Sequence, residues 1–173
     1  MSELIDLVNS HGVVVKSGVT RDDATDYQDT FMQIVIAVIR NAAGEFLVHK
    51  RSMAKHVNPG DIDHVCGGIH SGETPEASVA REALEEGGVR LHTLNVVRQG
   101  INQYNRYCYL VEGYTADTPD ISQLDPQEVE WVAFHPYQTL MQGKASGIFT
   151  FVDGFFEDIA HVTGPAAAEQ TGV

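Results

Sequence analysis

The spacing of apolar and polar positions predicts a chain in which strands outnumber helices. Phe31 to Arg40 (FMQIVIAVIR) is a nearly continuous run of β-branched and apolar residues, the pattern of a strand buried on both faces. Asn41 to Gly44 supplies a turn, and Phe46 to Arg51 (FLVHKR) returns as a partner strand. Upstream, Leu4 to Ser17 reads as two short apolar stretches around a His11-Gly12 turn, a hairpin, followed by a polar connection from Arg21 to Thr30. Downstream, Asn58-Pro59-Gly60-Asp61 marks a turn before a short strand around Ile62 to Cys66. Asn95 to Val97, Arg106 to Tyr114 and Glu128 to Phe134 are further strands, with a loop from Thr115 to Pro126.

Helical periods are fewer. Thr74-Pro75-Glu76 combines an N-cap, a proline suited to the first helical position and a first-turn acid. The helix is expected to run to about Glu86, where Gly87 and Gly88 end it. His135 to Met141 and Phe149 to His161 complete the helical set, and Gly164 to Val173 reads as a mobile tail. The expected organisation is a single α/β domain over residues 1–162, built on a mixed β-sheet sandwiched between α-helices, with 163–173 as the tail.

Composition narrows the choice of function. The 173 residues are 43% hydrophobic with a mean hydropathy of -0.15, ordinary for a globular domain. No apolar run is long enough for a membrane span. Glu3 and Asp6 replace the basic flank of a secretory signal, and only two cysteines are present, so a cytoplasmic protein with reduced thiols and no membrane partner is expected. The formal charge of -13 argues against a nucleic-acid polymer as partner. It also means that any polyanionic small molecule must be met by local basic residues or by bound cations.

The segment Gly67 to Val89, GGIHSGETPEASVAREALEEGGV, concentrates the chemistry. Glu82, Glu85 and Glu86 lie at i, i+3 and i+4, so one helix face presents three carboxylates. Like charges at that spacing repel, and acids in a last turn oppose the helix dipole. A hard divalent cation such as Mg²⁺ or Mn²⁺ would reverse that balance, since both take oxygen ligands and bridge to phosphates. Taken alone, three glutamates are equally well read as a solvated helix end.

The complete segment resembles the Nudix box, G-x5-E-x7-R-E-U-x-E-E-x-G-U with U apolar. Gly67, Glu73, Arg81, Glu82, Glu85, Glu86 and Gly88 fill all seven fixed positions, and only Ala83 is smaller than usual. Chance agreement at one start is on the order of 10⁻⁸. The resemblance implies a Nudix fold and a metal-dependent hydrolase cleaving a phosphoanhydride in a small diphosphate, such as a nucleoside diphosphate linked to another moiety. It implies Glu82, Glu85 and Glu86 as metal ligands together with the Gly67 carbonyl, catalytic work by Glu85 and Glu82, and a Glu73–Arg81 salt bridge bracing the loop. A homodimer is common in the family.

Outside the box, Phe46 to Ser52, Lys55, Pro59-Gly60-Asp61 and the N-terminal Ile5 to Asn9 and Gly12 to Val14 are similar to the isopentenyl diphosphate isomerase-like branch. Lys50, Arg51 and Lys55 are candidate diphosphate contacts on that basis, or solvated charges flanking a strand. Cys66 stands where the isomerases place a catalytic cysteine, but Cys66-Gly67-Gly68 lacks the histidine that follows it there. Isomerisation and non-catalytic nucleotide binding are the alternatives to hydrolysis. His56, His64 and His70 fit no zinc spacing and read as surface or loop residues, Cys66 as a small buried one, and Trp131 as core packing.

Overall fold

The computed structural model describes residues 3–164; most of the expected tail lies outside them. Nine strands and three α-helices follow the chain: β1 Leu4–Val8, β2 Val14–Thr20, β3 Phe31–Arg40, β4 Phe46–Arg51, β5 Ile62–Asp63, β6 Val65–Gly68, α1 Pro75–Glu85, β7 Thr93–Ile101, β8 Tyr107–Tyr114, β9 Val129–His135, α2 Tyr137–Ser146 and α3 Phe155–Thr163. The strands form one mixed sheet organised by β3. β3 pairs in parallel with β8 from Gln33↔Tyr107 to Arg40↔Tyr114, and antiparallel with β6 from Ile34↔Gly68 to Ala37↔Val65. Its first residues pair with β1 and its last with β4, which carries β5 and β9. β7 closes one side by pairing with β8.

Alternation along β3 sorts the core into two layers. Val35, Ala37 and Ile39 join Val79 and Ala83 of α1 on one face. Val38 packs with Leu140 of α2 and Phe155 and Ile159 of α3 on the other, and Ile36 lies against that cluster. The mixed sheet is therefore sandwiched between helices, as the sequence predicts. The β1–β2 hairpin has its own small core of Ile5, Leu7, Val19 and Ala24.

Helix α1 starts as its residues dictate. The Thr74 hydroxyl accepts the Ala77 N–H at 3.2 Å and Pro75 opens the helix. Gly88 ends the turn at φ +61, where a Cβ would meet the Asp120 backbone at 2.7 Å.

Four expected boundaries move. The strand over Ile62 to Cys66 divides into β5 and β6 at His64, and β7 extends well beyond Asn95 to Val97. Helix α2 continues to Ser146, where Gly147 in the left-handed region stops it. Residues 149–153 are not helical: the Ile62 N–H donates to Thr150 and the Val152 N–H to Ile62, which docks this stretch against β5 and delays α3 until after Gly154. His64 is a further correction. It is buried and stacked on Phe155 at 4.1 Å, and burial pulls its pKa down to about 4.

Candidate active site

The last turn of α1 and the edge strand β6 face each other across a cavity of about 510 Å³. Glu82 and Glu86 project from α1 and are only 8% and 9% exposed, whereas the side chain of Glu85 is 58% exposed. Gly67 makes the close approach feasible. Its pairing with Val35 turns its α-carbon toward α1, and a Cβ there would stand 1.8 Å from Oε1 of Glu82. Gly67→Ala should therefore expel the Glu82 carboxylate and cut turnover about 100-fold or more; steady-state kinetics beside circular dichroism would separate this from misfolding.

Arg81 organises the carboxylates. Its Nε donates to Glu73 Oε1 at 3.1 Å and its Nη2 to Glu73 Oε2 at 3.0 Å, a two-point ion pair. Nη1 donates to Glu82 at 2.7 Å and to Glu85 at 3.1 Å, and Nη2 also reaches the Gly68 carbonyl. Burial works to raise the Glu73 pKa, but the bonds and charge from Arg81 outweigh it and hold the carboxyl below its ordinary value. The paired loop is held from the other side by Asp6, which accepts from the Ser71 hydroxyl and the Gly72 N–H.

Among the described residues Glu86 makes no such ion pair, and Lys55 acts on it only through its charge. Glu86 Oε2 accepts the Cys66 N–H at 2.9 Å, and burial pushes its pKa well above the carboxylate range. Burial also raises Glu82, partly against Arg81. Two desolvated carboxylates with oxygen-only chemistry fit a hard divalent cation, with the Gly67 backbone beside them. Among the described residues no three His, Cys, Asp or Glu side chains yet converge on a point. Arg81 Nη1 stands between Glu82 and Glu85 and neutralises both.

The other residues expected from the sequence separate. Lys55 lines the cavity and pairs with Glu128. Lys50 pairs with Glu130 at 3.0 Å, outside the cavity lining. Arg51 is held in a buried ion pair with Asp63 at 2.9 Å and also donates to the Val57 carbonyl. The Cys66 thiol donates to Asp63 at 3.5 Å, and burial drives its pKa well above the ordinary thiol value. Arg21, unnoticed in the sequence, reaches over β6 at Gly68 and pairs with Glu3 at 3.1 Å. Only the return of the β1–β2 hairpin brings it there, and no local signal in the sequence announces that.

A sandwich of this topology with a glutamate-bearing helix end set against a glycine strand defines a family, and residues 30–153 match the NUDIX domain model. The chain belongs to the NUDIX domain family. It is 35% identical over 94 residues to a Nudix hydrolase of Deinococcus radiodurans, a match spanning 54% of each chain, so about half of that relative's length is represented. It is 27% identical over 146 residues to an isopentenyl-diphosphate Delta-isomerase of Citrobacter koseri, covering 78% of each. In fold it is similar to DR0079 of Deinococcus radiodurans, with a TM-score of 0.69 and 24% identity over 90% of this chain and 97% of that one. Among the described residues no helix is long and apolar enough to cross a membrane.

Proposed function

We propose that the chain hydrolyses a phosphoanhydride in a small diphosphate-containing molecule, a nucleoside diphosphate linked to another group or one of similar build, with Mg²⁺ or Mn²⁺. The observation that carries this reading is the buried Glu86, with no ion pair among the described residues, set beside Glu82 and against Gly67. Glu82, Glu86 and the Gly67 carbonyl would hold the ion, with Glu85 as a further ligand or as the base. A bound divalent ion would neutralise diphosphate oxygens and lower the pKa of a water. Arg81 and Glu73 fix the helix end against its loop, so the carboxylates stay in register with β6. Arg21 and Lys55 both line the cavity and are placed to meet phosphate oxygens, each now paired with a surface glutamate that an anion would displace. Glu85, the most exposed of the three acids, can reach a water and accept its proton.

The test is phosphate release from a panel of nucleoside diphosphate derivatives with Mg²⁺ or Mn²⁺. Metal-dependent release from at least one member is expected. Silence across the panel, with ligand binding retained, would replace catalysis with a binding role.

Cys66 at the cavity wall and the resemblance to an isomerase give a second reading, isomerisation of an allylic diphosphate. Incubation with isopentenyl diphosphate decides between them. Turnover lost in Cys66→Ala but kept in Glu86→Gln would establish isomerisation and remove hydrolysis.

A further inference from the structure

The β1–β2 hairpin carries one irregularity in its ladder close to the site. Ile5 pairs with Val19 and Leu7 with Lys16, so Asp6 stands opposite two residues, Ser17 and Gly18. This is a β-bulge, and Gly18 adopts φ +68 within it. Ile5 and Leu7 point into the hairpin's own core. Asp6 between them points the other way, to the face where Val8 joins the core layer of α1.

Asp6 is buried there, and its carboxylate takes donors from two elements. Oδ1 accepts the Gly18 N–H at 3.0 Å and the Ser71 hydroxyl at 2.5 Å, and Oδ2 accepts the Gly72 N–H at 3.0 Å. Burial works to raise the Asp6 pKa, but these bonds outweigh it and hold the carboxyl below its ordinary value. An ionised acceptor makes the stronger class of hydrogen bond. One carboxylate thus fastens the bulge of β2 to the loop that precedes α1.

That fastening bears on Arg21, three residues beyond Gly18 and one past the Thr20–Leu4 pair that ends β2. The guanidinium lines the cavity and lies over Gly68, where a Cβ would stand 2.5 Å from Nη2. Its own contacts hold it weakly, since the pair with Glu3 joins two side chains that are more than half exposed. The course of the backbone at the end of β2 therefore places the arginine, and a bulge is what bends and twists a strand. Asp6 does not itself line the cavity, so it acts from outside.

We propose that Asp6 is a positioning residue for phosphate binding: by fastening the Ser17–Gly18 bulge to Ser71 and Gly72, it aims Arg21 into the cavity of Glu82 and Glu86. This rests on the reading of that cavity as a diphosphate site and not on cleavage. Asp6→Asn keeps the shape of the side chain but opens one arm. Its amide nitrogen must face the N–H of either Gly18 or Gly72, donor against donor.

The experiment is a double-mutant cycle read by binding. Methylenediphosphonate, an uncleavable diphosphate, is titrated with Mg²⁺ into wild type, Asp6→Asn, Arg21→Ala and the double variant in a calorimeter. Asp6→Asn should weaken binding about tenfold and Arg21→Ala at least as much. The double variant should match Arg21→Ala within about twofold, because Asp6 has nothing left to aim. With any substrate the wild type cleaves, Asp6→Asn should raise KM while kcat holds within about threefold. Losses that multiply in the double variant would route Asp6 through Glu73 and Arg81 instead and overturn the proposal. So would an Asp6→Asn affinity equal to that of the wild type, or a wild type that does not bind methylenediphosphonate. Should circular dichroism show Asp6→Asn unfolded, Ser71→Ala takes its place by removing one donor of the three. Binding about threefold weaker, with no further loss beside Arg21→Ala, then sustains the proposal, and any other result ends it. Hydrolysis is judged separately by phosphate release. A wild type that binds methylenediphosphonate but cleaves nothing loses the hydrolase reading alone, and one that cleaves while the four proteins bind alike loses only the role of Asp6.

Discussion

Glu86→Gln should lower phosphate release by at least about 100-fold, since a bound metal contributes several kcal/mol of transition-state stabilisation and each 1.4 kcal/mol is tenfold. The same substitution should not weaken the metal-free protein. Glu86 is a desolvated acid whose side chain accepts the Cys66 N–H, and a glutamine oxygen can accept that bond without a buried charge. Its melting temperature in chelator should equal or exceed that of the wild type. Mn²⁺ should raise the wild-type melting temperature and leave that of Glu86→Gln almost unmoved, because a cation stabilises only the state that binds it. Thermal denaturation with and without Mn²⁺, beside a release assay, reads all of this. A variant keeping a third of its activity would remove Glu86 from the metal site.

The second large effect concerns Arg51. Its guanidinium is spent inside the protein, on Asp63 and on the Val57 carbonyl, with the two charged side chains only 12% and 9% exposed. Arg51→Leu leaves Asp63 buried with no cation. Burial already raises the Asp63 pKa against the pull of Arg51, so the loss falls on a group with no other ion-pair partner among the described residues. Breaking a buried pair from one side costs about 3–5 kcal/mol, which for a domain of this size is a fall in melting temperature of about 10 °C. Urea denaturation would measure it. Activity should fall with stability, because Asp63 also accepts the Cys66 thiol and helps seat β6. A variant that melts normally but shows a raised KM would instead make Arg51 a diphosphate contact, the other reading of its place at the end of β4.

The parts of this molecule legible in its sequence are those specified locally. The run from Phe31 to Arg40 is a strand on its own evidence, and the Thr74-Pro75 start of α1 is a cap visible in three residues. The glutamate spacing likewise needs only helical geometry to place three acids on one face. What escaped was decided by partners far along the chain. Residues 149–153 carry an apolar pattern compatible with a helix, but backbone bonds to Ile62 hold them extended. β7 is largely exposed, with Val96, Val97 and Ile101 on the surface, and its length is set by pairing with β8. His64 reads as a surface or loop residue from the sequence because nothing near it along the chain reveals that Phe155 will cover it. Arg21 approaches the site only through the folding back of the β1–β2 hairpin.

Strand β3 draws its neighbours from positions as early as Leu7 and as late as Tyr114. No stretch of chain can satisfy it locally, so the sheet cannot close until residues 74 positions apart, Gln33 and Tyr107 among them, have met. Loop-closure entropy then delays the decisive step, and folding belongs to the slower, non-local class. Until β8 arrives, the most apolar strand in the protein has an open side, and that interval is when nascent chains are most prone to stick to one another.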